Sequence, residues 1–169
     1  MVSDFSDLRW YALYTSAHHE KRVASQLQAR GVDHFLPLCS STRRWKDRRV
    51  SLELPLFPGY VFVRCDLRDR WHVLQAPGVV HLVGFGGKPC SLPDSEIVAL
   101  QKGILSGLNV EPHANLSVGT RVRVLRGPLE GVKGILVRKK KVCRVVLSLD
   151  LIGRSASVEV DAADIEKTL

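Results

Sequence analysis

Cys39, Cys65, Cys90, Cys143 and six histidines are the side chains of this 169-residue chain best able to carry nucleophilic, redox or metal chemistry. Their spacing organises none of it. No two cysteines lie close enough in sequence for a zinc ribbon or a dithiol redox pair, so they read as reduced thiols. His18 and His19 are adjacent and on a helix would face apart, which makes a poor metal pair. Gly84-Phe85-Gly86-Gly87 lacks the long loop and lysine of a phosphate cradle. No Ser-His-acid or Cys-His arrangement has supporting context. The chain is therefore expected to have no catalytic residue, no metal site and no cofactor.

Recognition chemistry is better provided. Arg43-Arg44-Trp45-Lys46-Asp47-Arg48-Arg49 sets five basic residues against one acid around a tryptophan, the pattern of an exposed hairpin tip. Such a tip is either a solvated charged loop or a contact for DNA, RNA or an acidic protein surface, with Trp45 free to stack on a base or to cover the hairpin. Residues 1–117 carry fourteen Lys/Arg and eleven Asp/Glu, a surplus of three, and the tip alone has a surplus of four. The basicity of this part is thus concentrated at one place. Arg70 and His72, flanking Trp71, form a second candidate nucleic-acid site together with His18, His19, Lys21 and Arg22. Pro55-Leu56-Phe57-Pro58-Gly59-Tyr60-Val61-Phe62-Val63-Arg64 is different in kind. Pro58 fixes its own φ and keeps Phe57 out of the helical region, and Gly59 permits a bend into a buried strand. Phe57 and Tyr60 leave this stiff corner as core rings or as a docking edge, with Val61 and Val63 in the core.

These groups need elements to hold them. Trp10 to Thr15 alternates like a strand, and Thr15 or Ser16 is placed to cap a helix over about Ala17 to Arg30 that Gly31 stops. His34 to Leu38 reads as a strand, Asp69 to Gln75 as a short helix and Val79 to Val83 as a strand. A tight turn at Gly86-Gly87 precedes a helix opened by Pro93-Asp94 and running to about Leu105. Residues 108–117 mix Gly, Pro and Asn without periodicity and read as a flexible linker. Beyond it, β-rich runs at Arg121–Leu125, Lys133–Arg138, Cys143–Leu149 and Ser155–Val160 imply a small closed barrel, and their glycines and β-branched residues disfavour helix. Lys139-Lys140-Lys141, with Arg138 and Arg144, reads as a basic corner. The fold class is α+β: an α/β sandwich with an antiparallel sheet and about three helices in 1–107, the linker 108–117, and a small all-β barrel in 118–169.

The formal net charge of +8 favours an acidic partner such as nucleic acid. No apolar run approaches bilayer length and the first nine residues are not signal-like, so a cytoplasmic protein without a membrane partner is expected; a monomer is also expected.

Gly119-Thr120-Arg121-Val122-Arg123-Val124-Leu125-Arg126-Gly127-Pro128-Leu129-Glu130-Gly131-Val132-Lys133-Gly134 resembles the KOW motif. Trp10-Tyr11, Pro58-Gly59-Tyr60-Val61, Trp71-His72 and Gly84 to Gly87 fall in the order found in the NusG N-terminal (NGN) domain. Ile152-Gly153-Arg154, Val158-Glu159-Val160 and Ile165-Glu166 match the end of NusG-like KOW domains. The chain is identified as resembling the NusG family, including specialised paralogues of the RfaH and polysaccharide-cluster antiterminator type. The resemblance implies a non-enzymatic transcription elongation and antitermination factor. Its N-terminal domain docks on the clamp helices of the largest RNA polymerase subunit through Phe57, Pro58, Tyr60 and Tyr11. Non-template DNA or nascent RNA lies nearby, although the His-Thr-Thr pattern of RfaH is missing at Arg70 to His72. The KOW domain is implied to recruit a small-subunit ribosomal protein or Rho, with Leu129 and Ile152 as candidate contacts; Leu129 stands where many relatives have phenylalanine. The competing reading is a ribosome-associated or general RNA-binding KOW protein.

Overall fold

A computed structural model describes residues 7–113, 119–139 and 142–168. In chain order the elements begin with β1 (Arg9–Thr15), α1 (Glu20–Ala29), β2 (Asp33–Phe35), β3 (Leu38–Trp45), β4 (Arg48–Pro55) and β5 (Tyr60–Cys65). There follow α2 (Arg70–Leu74), β6 (Val79–Leu82), β7 (Gly84–Phe85), β8 (Lys88–Pro89), β9 (Ser91–Leu92) and α3 (Asp94–Leu105). The last strands are β10 (Val110–His113), β11 (Thr120–Val124), β12 (Lys133–Lys139), β13 (Val142–Leu149), β14 (Arg154–Val160) and β15 (Ile165–Lys167). They form two compact units, Met1–Leu36 with Phe57–Asp94, and Pro37–Leu56 with Ser95–Leu169.

In the first unit the antiparallel order is β2-β5-β1-β6, with β9 also on β1. Successive strand residues point to opposite faces. Tyr11, Leu13, Val61, Val63 and Cys65 share one face and form a core with Val23 and Leu27 of α1 and with Val73 of α2. Val23 and Leu27 recur at helical spacing, so α1 lays a single apolar stripe on the sheet. Gly31, at φ 68, closes α1, and the Val32 amide returns to the Leu27 carbonyl. The start of α1 differs from expectation. His18 takes a left-handed turn at φ 61, so the helix begins at Glu20, and the Thr15 hydroxyl ends β1 buried and, among the described residues, without a hydrogen-bond partner instead of capping.

In the second unit β3 and β4 pair, among the described residues, only with each other, and six strands run antiparallel in the order β10-β14-β13-β12-β11-β15. The segment after residue 118 is thus sheet, as its glycines and β-branched residues require. Two expectations change. Val110–His113, inside the span read as linker, is an edge strand paired with Ser155 to Val158. Arg144, assigned to the basic corner, is buried: its guanidinium donates to Glu111 Oε2 at 2.6 Å and to Ser157 Oγ at 3.2 Å. Lys140 and Lys141 lie outside the described residues. α3 buries Ile97, Ala99, Leu100 and Gly103. A methyl group built at Gly103 would lie 3.6–3.8 Å from Val110, Leu129 and Val158, so the glycine lets α3 approach the sheet closely.

Candidate functional site

The corner before β5 is built from three backbone hydrogen bonds. The Tyr60 amide donates to the Phe57 carbonyl at 3.1 Å, closing the turn. The Thr15 amide donates to the Gly59 carbonyl at 2.8 Å, fixing the corner to the end of β1. The Gly59 amide donates to Glu20 Oε1 at 2.7 Å, fixing it to the start of α1. Gly59 sits at φ 86, a conformation that side chains resist.

This rigid corner presents Tyr60 across β1 from Tyr14, with ring centroids 5.6 Å apart. On the other side of β1, Tyr14 faces His81 of β6, with centroids 5.3 Å apart. The rings form a row over three adjacent strands on the face opposite α1; Tyr14 and His81 are exposed and Tyr60 is partly so. Pro58 is exposed at the end of the row. Phe57 and Tyr11, expected beside Tyr60 as docking contacts, are only 2% and 4% exposed. Phe57 packs edge-on against Phe62 at 6.1 Å, and Tyr11 belongs to the helix-side core. Tyr14 and His81 were not singled out from sequence. Their only signal was parity: Tyr14 falls out of phase with Tyr11 and Leu13.

Arg43, Arg44, Lys46, Arg48 and Arg49 are all exposed around the two-residue turn Lys46-Asp47, and Trp45 lies in β3 opposite Arg48. At the second candidate site Trp71 is 63% exposed, and the Arg70 guanidinium lies 5.7 Å from its ring centroid. The ring does not pack under α2. His72 is tethered: Arg30 donates to its carbonyl at 3.2 Å and to that of Gln75 at 3.3 Å, joining α2 to the end of α1. In the second unit Leu129 is buried and Ile152 half-buried. Leu129 floors an open groove of about 690 Å³ rimmed by Arg126, Pro128, Asn109 and Asp161.

Among the described residues no group of three or more His, Cys, Asp or Glu is placed to hold a metal ion. All four cysteines are free. Burial, then the charges of Asp66 and Asp69, pushes the Cys65 thiol up to about 11, so it carries little thiolate at neutral pH.

Residues 8–101 match the family model described as transcription termination factor NusG. The chain belongs to the NusG family. It is accordingly a transcription elongation and antitermination factor of the NusG type. It is 27% identical to the transcription termination/antitermination protein NusG of Pseudomonas aeruginosa, over 94% of this chain and 98% of that one. For the NusG of Thermus thermophilus the figures are 28%, 95% and 98%. For that of Escherichia coli strain K12 they are 27%, 98% and 99%. A solved structure described as "Domain interaction in Thermotoga maritima NusG" covers 96% of the chain and 98% of its own, with a TM-score of 0.58 and 23% identity, and shares the fold. The NusG match contains the whole aromatic row, the basic hairpin and α2. Among the described residues no helix is long and apolar enough to cross a membrane.

Proposed function

We propose that this NusG-family chain is a monomeric, non-enzymatic, cytoplasmic factor that rides on elongating RNA polymerase. Residues 1–107 dock on the clamp helices of the largest subunit, and residues 118–169 recruit a second protein. The observation carrying this reading is the row Tyr60-Tyr14-His81 beside the hydrogen-bonded corner at Gly59. Aromatic rings held by backbone hydrogen bonds lose little entropy on binding and suit the centre of an interface. Tyr60, Tyr14 and Pro58 make the contact. Phe57 supports β5 through Phe62, and Tyr11 supports β1 from the opposite face.

Nucleic acid lies against the basic hairpin and against Arg70, Trp71 and His72, where an exposed indole beside a guanidinium suits base stacking. The strand that passes Trp71 is non-template DNA or nascent RNA. The partner of the C-terminal segment, a small-subunit ribosomal protein or Rho, binds at the groove floored by Leu129 and at Ile152.

The deciding experiment measures affinity for core RNA polymerase, and pause duration, with Tyr14→Ala plus Tyr60→Ala. Far-ultraviolet circular dichroism verifies folding. Loss of two hot-spot rings predicts binding weaker by roughly 30-fold or more. Undiminished binding by the folded variant would discard the docking face.

A further inference from the structure

The β3–β4 ribbon carries its charge in an unusual arrangement. Its strands pair from Leu38 and Pro55 to Trp45 and Arg48, eight residues each, and among the described residues neither joins another strand. Eight residues of antiparallel strand extend about 27 Å. Arg44 and Arg49 are directly opposite each other and share one face. Arg43 and Arg48 occupy the other face, and Lys46 stands in the turn. All five are exposed, and among the described residues none makes an ion pair or a side-chain hydrogen bond. Like charges placed directly opposite on a ribbon oppose folding, so the Arg44–Arg49 pair gains from a polyanion what the free protein lacks. Lys46 adopts φ 33, where glycine or asparagine is the ordinary choice, and so holds a cation at the very tip.

Behind the tip the ribbon is slender. Ser40, Ser41 and Thr42 face Ser51, Leu52 and Glu53, so four of these six side chains are small hydroxyls that add little thickness. A ribbon lying on a single strand, or on the flat of a protein, would use one face and leave the other in solvent. Positive charge on both faces and at the turn matches a slot with two anionic walls. The major groove of B-form DNA is such a slot: it is about 12 Å wide, admits a two-stranded ribbon and has a phosphate backbone on each side. The major groove of A-form RNA is too narrow and deep.

We propose that the β3–β4 ribbon enters the major groove of duplex DNA tip first. Arg44 and Arg49 lie against one phosphate wall, Arg43 and Arg48 against the other, and Lys46 points to the floor. This inference rests on the reading of the hairpin as a nucleic-acid contact and specifies the form of that contact. The phosphate contacts make the binding independent of sequence and strongly dependent on salt.

The test uses the full chain and fluorescence anisotropy with a labelled DNA duplex of roughly 20 base pairs, the matching single strand and the matching RNA duplex, over a salt series. Tighter binding to the DNA duplex is expected. Each double variant, Arg44→Ala/Arg49→Ala and Arg43→Ala/Arg48→Ala, should reduce the slope of log affinity against log salt by about 1.8. Lys46→Asn tolerates the turn and removes the cation, so it should weaken binding with the fold intact. Dimethyl sulfate footprinting should show protection of guanine N7, which lies in the major groove. Silence of either double variant, or an unprotected N7, overturns groove entry. Stronger binding to the single strand or the RNA duplex also overturns it while leaving the hairpin a nucleic-acid contact; no binding to any of the three probes overturns both.

Discussion

The Gly59 amide and the Glu20 carboxylate, 39 residues apart in sequence, are joined by a 2.7 Å hydrogen bond that links the corner before β5 to the first turn of α1. Glu20 is only 5% exposed, so the bond forms largely out of water. Removing the carboxylate leaves a sheltered amide without a partner, a cost of about 1–3 kcal/mol. Gly59→Ala acts on the same joint by another route. Its φ of 86 is strained for any side chain, and the new methyl would sit 3.3 Å from the Tyr14 ring. Both Glu20→Ala and Gly59→Ala are therefore expected to lower stability to urea and to weaken polymerase binding more than their stability loss explains. Full polymerase affinity in either folded variant would show that the corner need not be rigid.

Phe57 and Tyr60 should separate cleanly. Phe57 is buried against Phe62, so Phe57→Ala is expected to cost about 3–5 kcal/mol of folding stability. Tyr60 is only partly buried, and Tyr60→Ala should cost much less stability while lowering polymerase affinity. Urea denaturation paired with a binding assay measures both quantities. Equal stability losses at the two positions would contradict the placement of Phe57 in the core.

How far the sequence disclosed this arrangement depended on whether the determining force was local. Helix periodicity located α1 because Val23 and Leu27 repeat at the spacing of one face, and Pro93-Asp94 located the start of α3 because proline and an acidic side chain suit a first helical turn. The charged run Arg43–Arg49 located the hairpin turn because no core accepts five cations. The row Tyr14, Tyr60 and His81 was hidden, since it exists only through the registers of β1 with β5 and of β1 with β6. Pro112 concealed β10 by breaking the strand pattern; an edge strand tolerates the missing donor. Arg144 looked like part of a basic corner because its two glutamates are distant in sequence.

Those glutamates lead to a prediction of asymmetry. Arg144 is 9% exposed in its side chain, whereas Glu111, 2.6 Å away, and Glu159, 3.6 Å away, are each 43% exposed. Removing the arginine frees two carboxylates to turn toward water, so Arg144→Met should cost only about 1 kcal/mol. Removing Glu111 strands a buried guanidinium on its weaker partner, so Glu111→Ala should cost more, about 2–3 kcal/mol. Urea denaturation of the two variants checks the order, and the reverse order would mean that Arg144 is held chiefly by Ser157 and its packing.

Glu96, in the first turn of α3, gives the clearest pH dependence. Its Oε2 is buried and has no hydrogen-bond partner among the described residues. Burial, and secondarily the Asp150 charge, raises its pKa from the ordinary 4.5 to about 7. Between those values the unfolded chain has released this proton and the folded chain has kept it, so stability falls as pH rises from about 4.5 to 7 and the penalty stays constant above. Glu96→Gln abolishes the titration. It should match the wild type near pH 4.5 and exceed it at pH 8 by on the order of 2 kcal/mol, once partial solvent access is discounted. For a chain of this size that difference raises the melting temperature by about 4–8 °C. Lys102 and Lys133 line the same cleft as Glu96, together with Glu130. If either lysine swung in to pair with the carboxylate, the sign would invert, and a Gln variant less stable than wild type at pH 8 would identify that pairing.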